Sequence, residues 1–437
     1  MEDILNTVSD RGIEIVRFWF TDILGRLKGF NIAVSELERG LSEGIVFDGS
    51  SVEGFVRIEE SDLVALPDPS TFRVLPEGVG SVPTAVVMCD IKYPDGRPFE
   101  SDPRYVLRKN LAAAKKKGYE FFVGPELEFF YFPSANDPTP LDKGGYFDVL
   151  PLDVASKSRK ETVIALRRMG FRVEASHHEV AYSQHEIDFR YSDALSMADT
   201  IQMAKVVVKE VARNNGLFAS FMPKPVFGIN GSGMHVHQSL FSRGKNAFYS
   251  ETDPYNLSDV ARYYIAGLLR HAKEITSITN QWVNSYKRLV AGYEAPVYIS
   301  WGRKNRSALV RVPGFKQGKS QSCRAEYRAP DPACNPYLCF SVMLAAGLRG
   351  IEQAYELPDP VEEDIYSMPD KVKQEYGIES LPDSLYSATQ AMRESQLVKE
   401  ALGQDLFEKL VANKCAEWER YRSQVTDYEI REYLPGL

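Results

Sequence analysis

The sequence predicts a protein of mixed α and β structure in two unequal domains. Three observations carry that prediction. Residues 1–100 are short apolar runs separated by turns. The DG turn at Asp95–Gly96 and the stretch PFESDPR then lead into a helical pattern. Beyond it, strand-like and helix-like patterns alternate to the end of the chain.

The elements follow in order. IEIVRFWFTDILGRLKGFNIAV reads as a strand, a turn at Asp22–Gly25 and a second strand, and residues 82–92, VPTAVVMCDIK, as another strand. YVLRKNLAAAKKKG predicts a helix near 103–117, closed by Gly118, and places a domain boundary near 100–105. FFVGPELEFFYF reads as a strand pair. Residues 156–169 and 192–215 read as amphipathic helices, the second ending at Asn214–Gly216. Residues 386–423 read as mostly helical, with apolar positions at 397, 398, 401, 402, 406, 407, 410 and 411. The tail TDYEIREYLPGL is apolar and aromatic enough to dock on a neighbouring subunit. No internal repeat or low-complexity tract interrupts this order.

Composition excludes some functions. Of 437 residues, 44% are apolar and 26% charged, ordinary for a soluble globular protein. The net charge of −8 disfavours general nucleic-acid binding but allows a local anion site. MEDILNTVSDRG lacks the apolar stretch of a signal peptide, and apolar runs such as VMLAAGL are too short to span a membrane. Five scattered cysteines without a CxxC pair suggest reduced thiols in a cytoplasm.

Carboxylates sit where a core is expected. GPELEFFYF places Glu126 and Glu128 two residues apart, hence on one face of a strand flanked by phenylalanines on both faces. Buried carboxylates must be paired, protonated or bound to cations, because an uncompensated buried charge costs several kcal/mol. SHHEVAYSQHEIDF adds Glu179, Glu186 and Asp188 among three histidines, an oxygen-rich set suited to Mg²⁺ or Mn²⁺. In KPVFGINGSGMHVHQS, three glycines allow close backbone approach to a ligand, and an extended Met234–His237 puts His235 and His237 on one face. Residues 303–328 hold eight basic residues against the single acid Glu326, which favours a phosphate or carboxylate site. These features alone describe a divalent-metal phosphotransferase or ligase, with a metallohydrolase as the alternative.

Eight motifs, in order, give the chain a resemblance to type I glutamine synthetase over nearly its full length. They are FDGSSVEGF, ESDLVALPD, GPELEFF, HHEVAYSQHE, KPVFGINGSGMHVHQS, NSYKRLVAGYEAPV, NRSALVRVP and RAEYRAPDPACNPYL. The resemblance implies an α+β fold, with a small β-grasp-like domain over residues 1–102. A catalytic domain over 103–437 follows, with a curved antiparallel sheet of the glutamine synthetase and guanido kinase kind and a helical C-terminal segment. It implies a cytoplasmic dodecamer of two hexameric rings, each active site lying between one catalytic domain and its neighbour's N-terminal domain. By motif position, Glu128, Glu179 and Glu186 match a first metal site, and Glu126, His235 and Glu326 a second. Asn230, Gly231 and Arg288 match contacts to glutamate, and Arg306 and Arg328 match residues holding the transferred phosphate or the γ-carboxylate. His237, Ser239, Arg311 and Arg324 match nucleotide contacts. The expected cofactors are ATP and Mg²⁺ (or Mn²⁺).

The implied reaction is attack by the glutamate γ-carboxylate on the γ-phosphorus of ATP, giving γ-glutamyl phosphate, which ammonia then converts to glutamine. Asp48 matches the residue that deprotonates ammonium across the subunit interface, and Glu294 the glutamate of a closing flap. Arg57 matches the residue through which α-type enzymes sense glutamine. The adenylylated tyrosine of β-type enzymes has only a partial echo at Tyr355, so α-type behaviour without adenylylation is expected, with a nitrogen-signalling protein as a partner. Departures from the family pattern stand at Glu77, Ser183, Ala291 and Gln321. The alternatives are a γ-glutamyl ligase using another amine and a non-catalytic paralogue.

Overall fold

Asp22 turns the chain between its first two strands: its Oδ1 accepts from the amides of Leu24 (3.0 Å) and Arg26 (2.8 Å). The structure is a computed structural model that describes residues 1–50, 52, 54, 62–80, 82–316 and 318–437. Its N-terminal sheet comprises β1 (Ile15–Thr21), β2 (Leu27–Ala33), β3 (Ile45–Asp48), β4 (Asp62–Pro67), β5 (Arg73–Val74) and β6 (Thr84–Lys92). The order is β2-β1-β6-β4-β3, with β5 beside β6 and a parallel β1–β6 pair at the centre. Strand alternation gives the sheet two apolar faces. Val16, Phe18, Ala85 and Val87 join a core with Leu37 and Leu41 of the helix Leu37–Glu43. Trp19, Val86 and Met88 face the opposite way, into the core of the large domain.

The second sheet comprises β7 (Glu120–Phe132), β8 (Val173–His178), β9 (Gln184–Phe189), β10 (Ser192–Asp193), β11 (Phe218–Ser220), β12 (Val236–Ser242), β13 (Lys245–Asn246), β14 (Tyr298–Gly302), β15 (Ala308–Arg311), β16 (Ala325–Tyr327) and β17 (Glu379–Ser380). The main order is β17-β14-β15-β16-β12-β7-β9-β8, antiparallel except for the parallel pair β14–β15. Helices Ala194–Asn214, Asp259–Arg270 and Pro336–Glu352 supply much of the large core.

Several expectations change. FFVGPELEFFYF is one strand of 13 residues, not a strand pair. The amides of Glu126 and Glu128 donate toward the β12 side, to His235 O and Gly233 O. Pro125 therefore faces the other side, in the gap between β10 and β9, where its missing N–H costs no ladder bond. The helix expected over 192–215 runs Ala194–Asn214 and is capped by Asp193, whose carboxylate accepts from the amide of Ser196. The stretch 386–423 divides into Leu385–Arg393, Gln396–Leu402 and Gln404–Arg422. Its apolar positions are buried, apart from the half-buried Val411. The tail forms the helix Asp427–Tyr433, with Tyr428, Ile430, Tyr433 and Leu434 exposed. No described helix is long and apolar enough to cross a membrane.

The turn at Asp22–Gly25 is also where the two sheets' units meet. Gln281 Nε2 donates to Leu24 O (2.8 Å), Gln202 Nε2 to Gly25 O (3.0 Å) and Asn335 Nδ2 to Ile23 O (3.1 Å). Gly25 has φ +74°, and a Cβ there would lie 2.7 Å from Asn335 Cα, so both backbone conformation and space require glycine.

Candidate active site

Four adjacent strands present acids and histidines to one side of the second sheet. Glu126 and Glu128 of β7 lie opposite Asp188 and Glu186 of β9, and His237 of β12 lies opposite Glu326 of β16. The period of two, repeated on each strand, turns side chains from distant segments toward a common cleft. Val236 precedes His237 on β12, and the chain immediately before it, rich in glycine, brings in Asn230, Gly231 and His235. A Cβ at Gly231 would lie 2.2 Å from Pro223 O, and one at Gly233 2.6 Å from Arg288 Nη2.

A cavity of about 230 Å³ collects Glu126, Glu128, Glu179, Glu186, His235 and Glu326. It also takes in Asn230, Gly231, Arg288, Glu294, Arg306, Arg311 and Arg328. Glu126 and His237, with Ser239 and Arg324, line a second cavity of about 970 Å³. Glu126 thus borders both. Arg311, matched to nucleotide contacts, lines the smaller cavity with its Nε 2.7 Å from Glu326. Asp48 lies at the exposed end of β3 and lines neither cavity of its own chain. Arg57 lies outside the described residues.

The donors suit a divalent cation. Glu126, His235 and Glu326 bring one ligand atom each within 4.8 Å of one another. His235 Nδ1 is 2.9 Å from Glu126 Oε2 and 3.7 Å from Glu326 Oε1. His237 donates from Nε2 to Glu126 Oε1 (2.8 Å), because its Nδ1 accepts from Arg324 Nε (3.2 Å). Burial opposes the ionisation of Glu126, but these two imidazoles outweigh it and hold its carboxyl well below the usual range.

Glu128, Glu179 and Glu186 behave otherwise. Burial, then the charge of Glu179, pushes Glu128 well up, and burial, then Glu128, does the same to Glu186. Burial pushes Glu179 up to about 7. Three carboxyls that resist ionisation in one cleft are the chemistry a hard cation relieves. Their oxygens do not all gather within 4.8 Å; Glu186 groups instead with His177 and Asp188.

A third group, Asp142, His178 and His185, is supporting structure. His185 Nδ1 accepts from Arg159 (2.7 Å), which fixes the proton on Nε2 and removes that lone pair from metal binding. Asp142 Oδ1 accepts from the amide of Ser183 (2.8 Å) and lies 3.2 Å from His178 Nε2, holding the turn that joins Glu179 to Gln184. Ser183 has φ +60°, a left-handed conformation that a glycine would adopt more readily.

Arginines line the same cavity. Arg288 is buried and gives Nη1 to Ala329 O (2.6 Å) and Nη2 to Arg328 O (3.2 Å). Arg328 Nε stands 3.2 Å from Glu326. Asn230 Nδ2 donates to Glu294 Oε2 (3.0 Å), and Glu294 itself has φ +56°.

Sequence reasoning passed over Gln184, Tyr146 and Tyr293, which line the smaller cavity, and Arg172 and Arg190, which line the larger. Gln184 carried a usable signal, its place between His178 and Glu186 in a dense polar motif. Its Nε2 donates to Glu128 Oε2 (2.8 Å). The others occupy no distinctive pattern. Gln321, a departure from the family pattern, lines the larger cavity and accepts from the Asn246 amide (3.2 Å).

Two family models match the chain. One, for the glutamine synthetase β-grasp domain, covers residues 12–94, and one, for the glutamine synthetase catalytic domain, covers 100–433. The chain is 53% identical to glutamine synthetase of Mycolicibacterium smegmatis, over 99% of this chain and 98% of that one. It is 50% identical to glutamine synthetase of Methanosarcina mazei over 100% and 98%. It is 49% identical to that of Thermotoga maritima over 99% of each. Among solved structures, "GmaS/ADP complex-Conformation 1" superposes with a TM-score of 0.90 at 32% identity, covering both chains completely.

Proposed function

The chain belongs to the glutamine synthetase family, and we propose on that premise which of its residues carry each step. The protein joins ammonia to the γ-carboxylate of L-glutamate at the expense of ATP, through γ-glutamyl phosphate, giving L-glutamine, ADP and phosphate. Its family uses ATP and a divalent metal, here proposed as Mg²⁺ or Mn²⁺. The supporting observation is that six potential ligands from five segments line one cavity, joined through Glu126 to a cavity roomy enough for a nucleotide.

In this reading Glu126, His235 and Glu326 hold one ion and Glu128, Glu179 and Glu186 the other. The ions supply positive charge beside the transferring phosphoryl group. His237, Ser239 and Arg324 contact the nucleotide, with Arg311 reaching from the smaller cavity. Asn230, Gly231 and Arg288 seat glutamate. Arg306 and Arg328 offset the charge that accumulates as the γ-carboxylate attacks phosphorus. Glu294 closes over the acyl phosphate and takes a proton from the intermediate. Asp48, which lines neither cavity of its own chain, serves a neighbouring subunit and takes the proton from ammonium.

That role for Asp48 requires assembly. The proposed state is a cytoplasmic dodecamer of two hexameric rings, with residues 1–102 of one subunit meeting residues 103–437 of the next. Arg57 is proposed to report glutamine, and a nitrogen-signalling protein is a proposed partner. Tyr355 is proposed to escape adenylylation; it is half-buried, with Arg270 4.4 Å from its ring centroid.

ADP release with glutamate and ammonium, set against putrescine and ethanolamine as acceptors, tests the acceptor. Ammonium is expected to be the efficient substrate, and Asp48→Ala to lower its use by about 100-fold or more. No turnover with ammonium ends the reading.

A further inference from the structure

In the proposed flap, residues 290–295, Glu294 has φ +56°, a conformation that neighbouring structure must support. Two holds come from the glutamate side: Lys224 Nζ lies 3.9 Å from the Tyr293 ring centroid, and Asn230 bonds Glu294. The third comes from elsewhere. Tyr366 Oη donates to Ala295 O at 2.5 Å.

Tyr366 belongs to a segment, residues 358–368, that also grips the loop carrying Arg306. The Glu362 carboxylate accepts from the amides of Arg303 and Lys304 (2.9 Å each). Asn305 Nδ2 donates to Val361 O (2.9 Å), and Ile365 N to Ser307 Oγ (3.1 Å). Gly302 lets the segment come close: a Cβ there would lie 2.6 Å from Val361 O. Buried Val361, Ile365 and Met368 form a small apolar cluster of their own that stiffens it.

We infer that residues 358–368 are a clasp tying the flap to the Arg306 loop, and that Tyr366 is a positioning residue for flap closure. The inference rests on the proposed reading of Glu294 as the flap residue. Its chemical consequence concerns water. With the flap held, γ-glutamyl phosphate meets ammonia. With the flap loosened, water attacks the acyl phosphate, the bond to phosphate breaks, and glutamate and phosphate are returned while ADP has already formed.

The test is ADP released per glutamine formed. Tyr366→Phe removes one hydroxyl and is expected to raise that ratio from one to about two or more, in line with an approximately five-fold shift in flap opening from one lost hydrogen bond. KM for ammonium is expected to rise more than kcat falls. Hydrogen–deuterium exchange should quicken over 290–296, and Tyr376→Phe, an exposed tyrosine, should leave every reading unchanged. A ratio of one with unchanged exchange overturns the inference. Exchange that quickens throughout the chain also overturns it, because Tyr366 is then a general stability residue. Glu294→Ala separates the two levels. If it leaves rate and ratio as they were, the flap reading itself fails; if it changes them and Tyr366→Phe does not, only the clasp fails.

Discussion

Glu326 is 2% exposed and stands between Arg311 and Arg328 while facing His235. Removing it does two separable things. Glu326→Ala is expected to weaken divalent-ion binding by about 100-fold or more, measured by calorimetric titration. It also leaves two guanidinium groups uncompensated, and should lower stability by about 3 kcal/mol in denaturant unfolding. The pH dependence belongs to its neighbours across the cleft. Glu179 is held at about 7, and Glu128 and Glu186 well above their usual range, so the ion-free protein keeps protons there that the unfolded chain has released. Raised carboxyls contribute stability at low pH that is lost as pH rises through about 7. Ion-free protein is therefore expected to melt at a lower temperature at pH 8 than at pH 6, and saturating Mg²⁺ to remove that difference. Ion affinity should rise over the same interval, with proton release seen as a buffer-dependent binding enthalpy.

Among the elements, the helix Pro336–Glu352 depends on one residue for two jobs. Asn335 Oδ1 accepts from the amides of Tyr337 (3.1 Å) and Leu338 (3.4 Å), and Nδ2 donates to Ile23 O and Asp22 O of the N-terminal unit. Asn335→Ala should cost about 1–2 kcal/mol through the lost cap. Asn335→Asp keeps the cap but faces those two carbonyls with a carboxylate, and is expected to be at least as destabilising in thermal unfolding. Asn-Pro is a helix-start signal that sequence reasoning passed over, and the second contact, 312 residues away, has no local signal. Strand β7 failed differently. Gly124–Pro125 is a local breaker signal, overridden because the strand changes partners on the side that Pro125 faces. The break between Leu402 and Gly403, where φ is +87°, was missed because the apolar spacing continues across it.

For the whole molecule, Arg104 is the principal charged joint. Its guanidinium meets Asp68 (2.8 Å) and Asp90 of the N-terminal sheet and Asp199 (2.8 Å) of the large domain, at 2% exposure. Arg104→Met is expected to destabilise the protein by about 3 kcal/mol, because buried Asp199 loses its cation while Asp68 and Asp90 keep Arg108. Scanning calorimetry should show the loss. Assembly is tested at the same scale: sedimentation is expected to give a particle of twelve chains of 49.3 kDa each. Mixing Asp48→Ala chains with Glu326→Ala chains should restore part of the activity, because each supplies what the other lacks at a shared site.

The sequence by itself determined the family, the oxygen-rich donor set, the strands β1, β2 and β6, and the helices that run Pro103–Lys116, Ser156–Arg168 and Ala194–Asn214. Those follow from residue identity and from periods of two and 3.6, which are local. Tertiary structure alone decided that Arg311 faces Glu326, that Gln184 orients Glu128, that Asp48 lines neither cavity of its own chain, and that Tyr366 reaches Ala295 O. Each of these depends on how separate segments are superposed by the register of one sheet and the packing of one core, and no local period encodes that superposition.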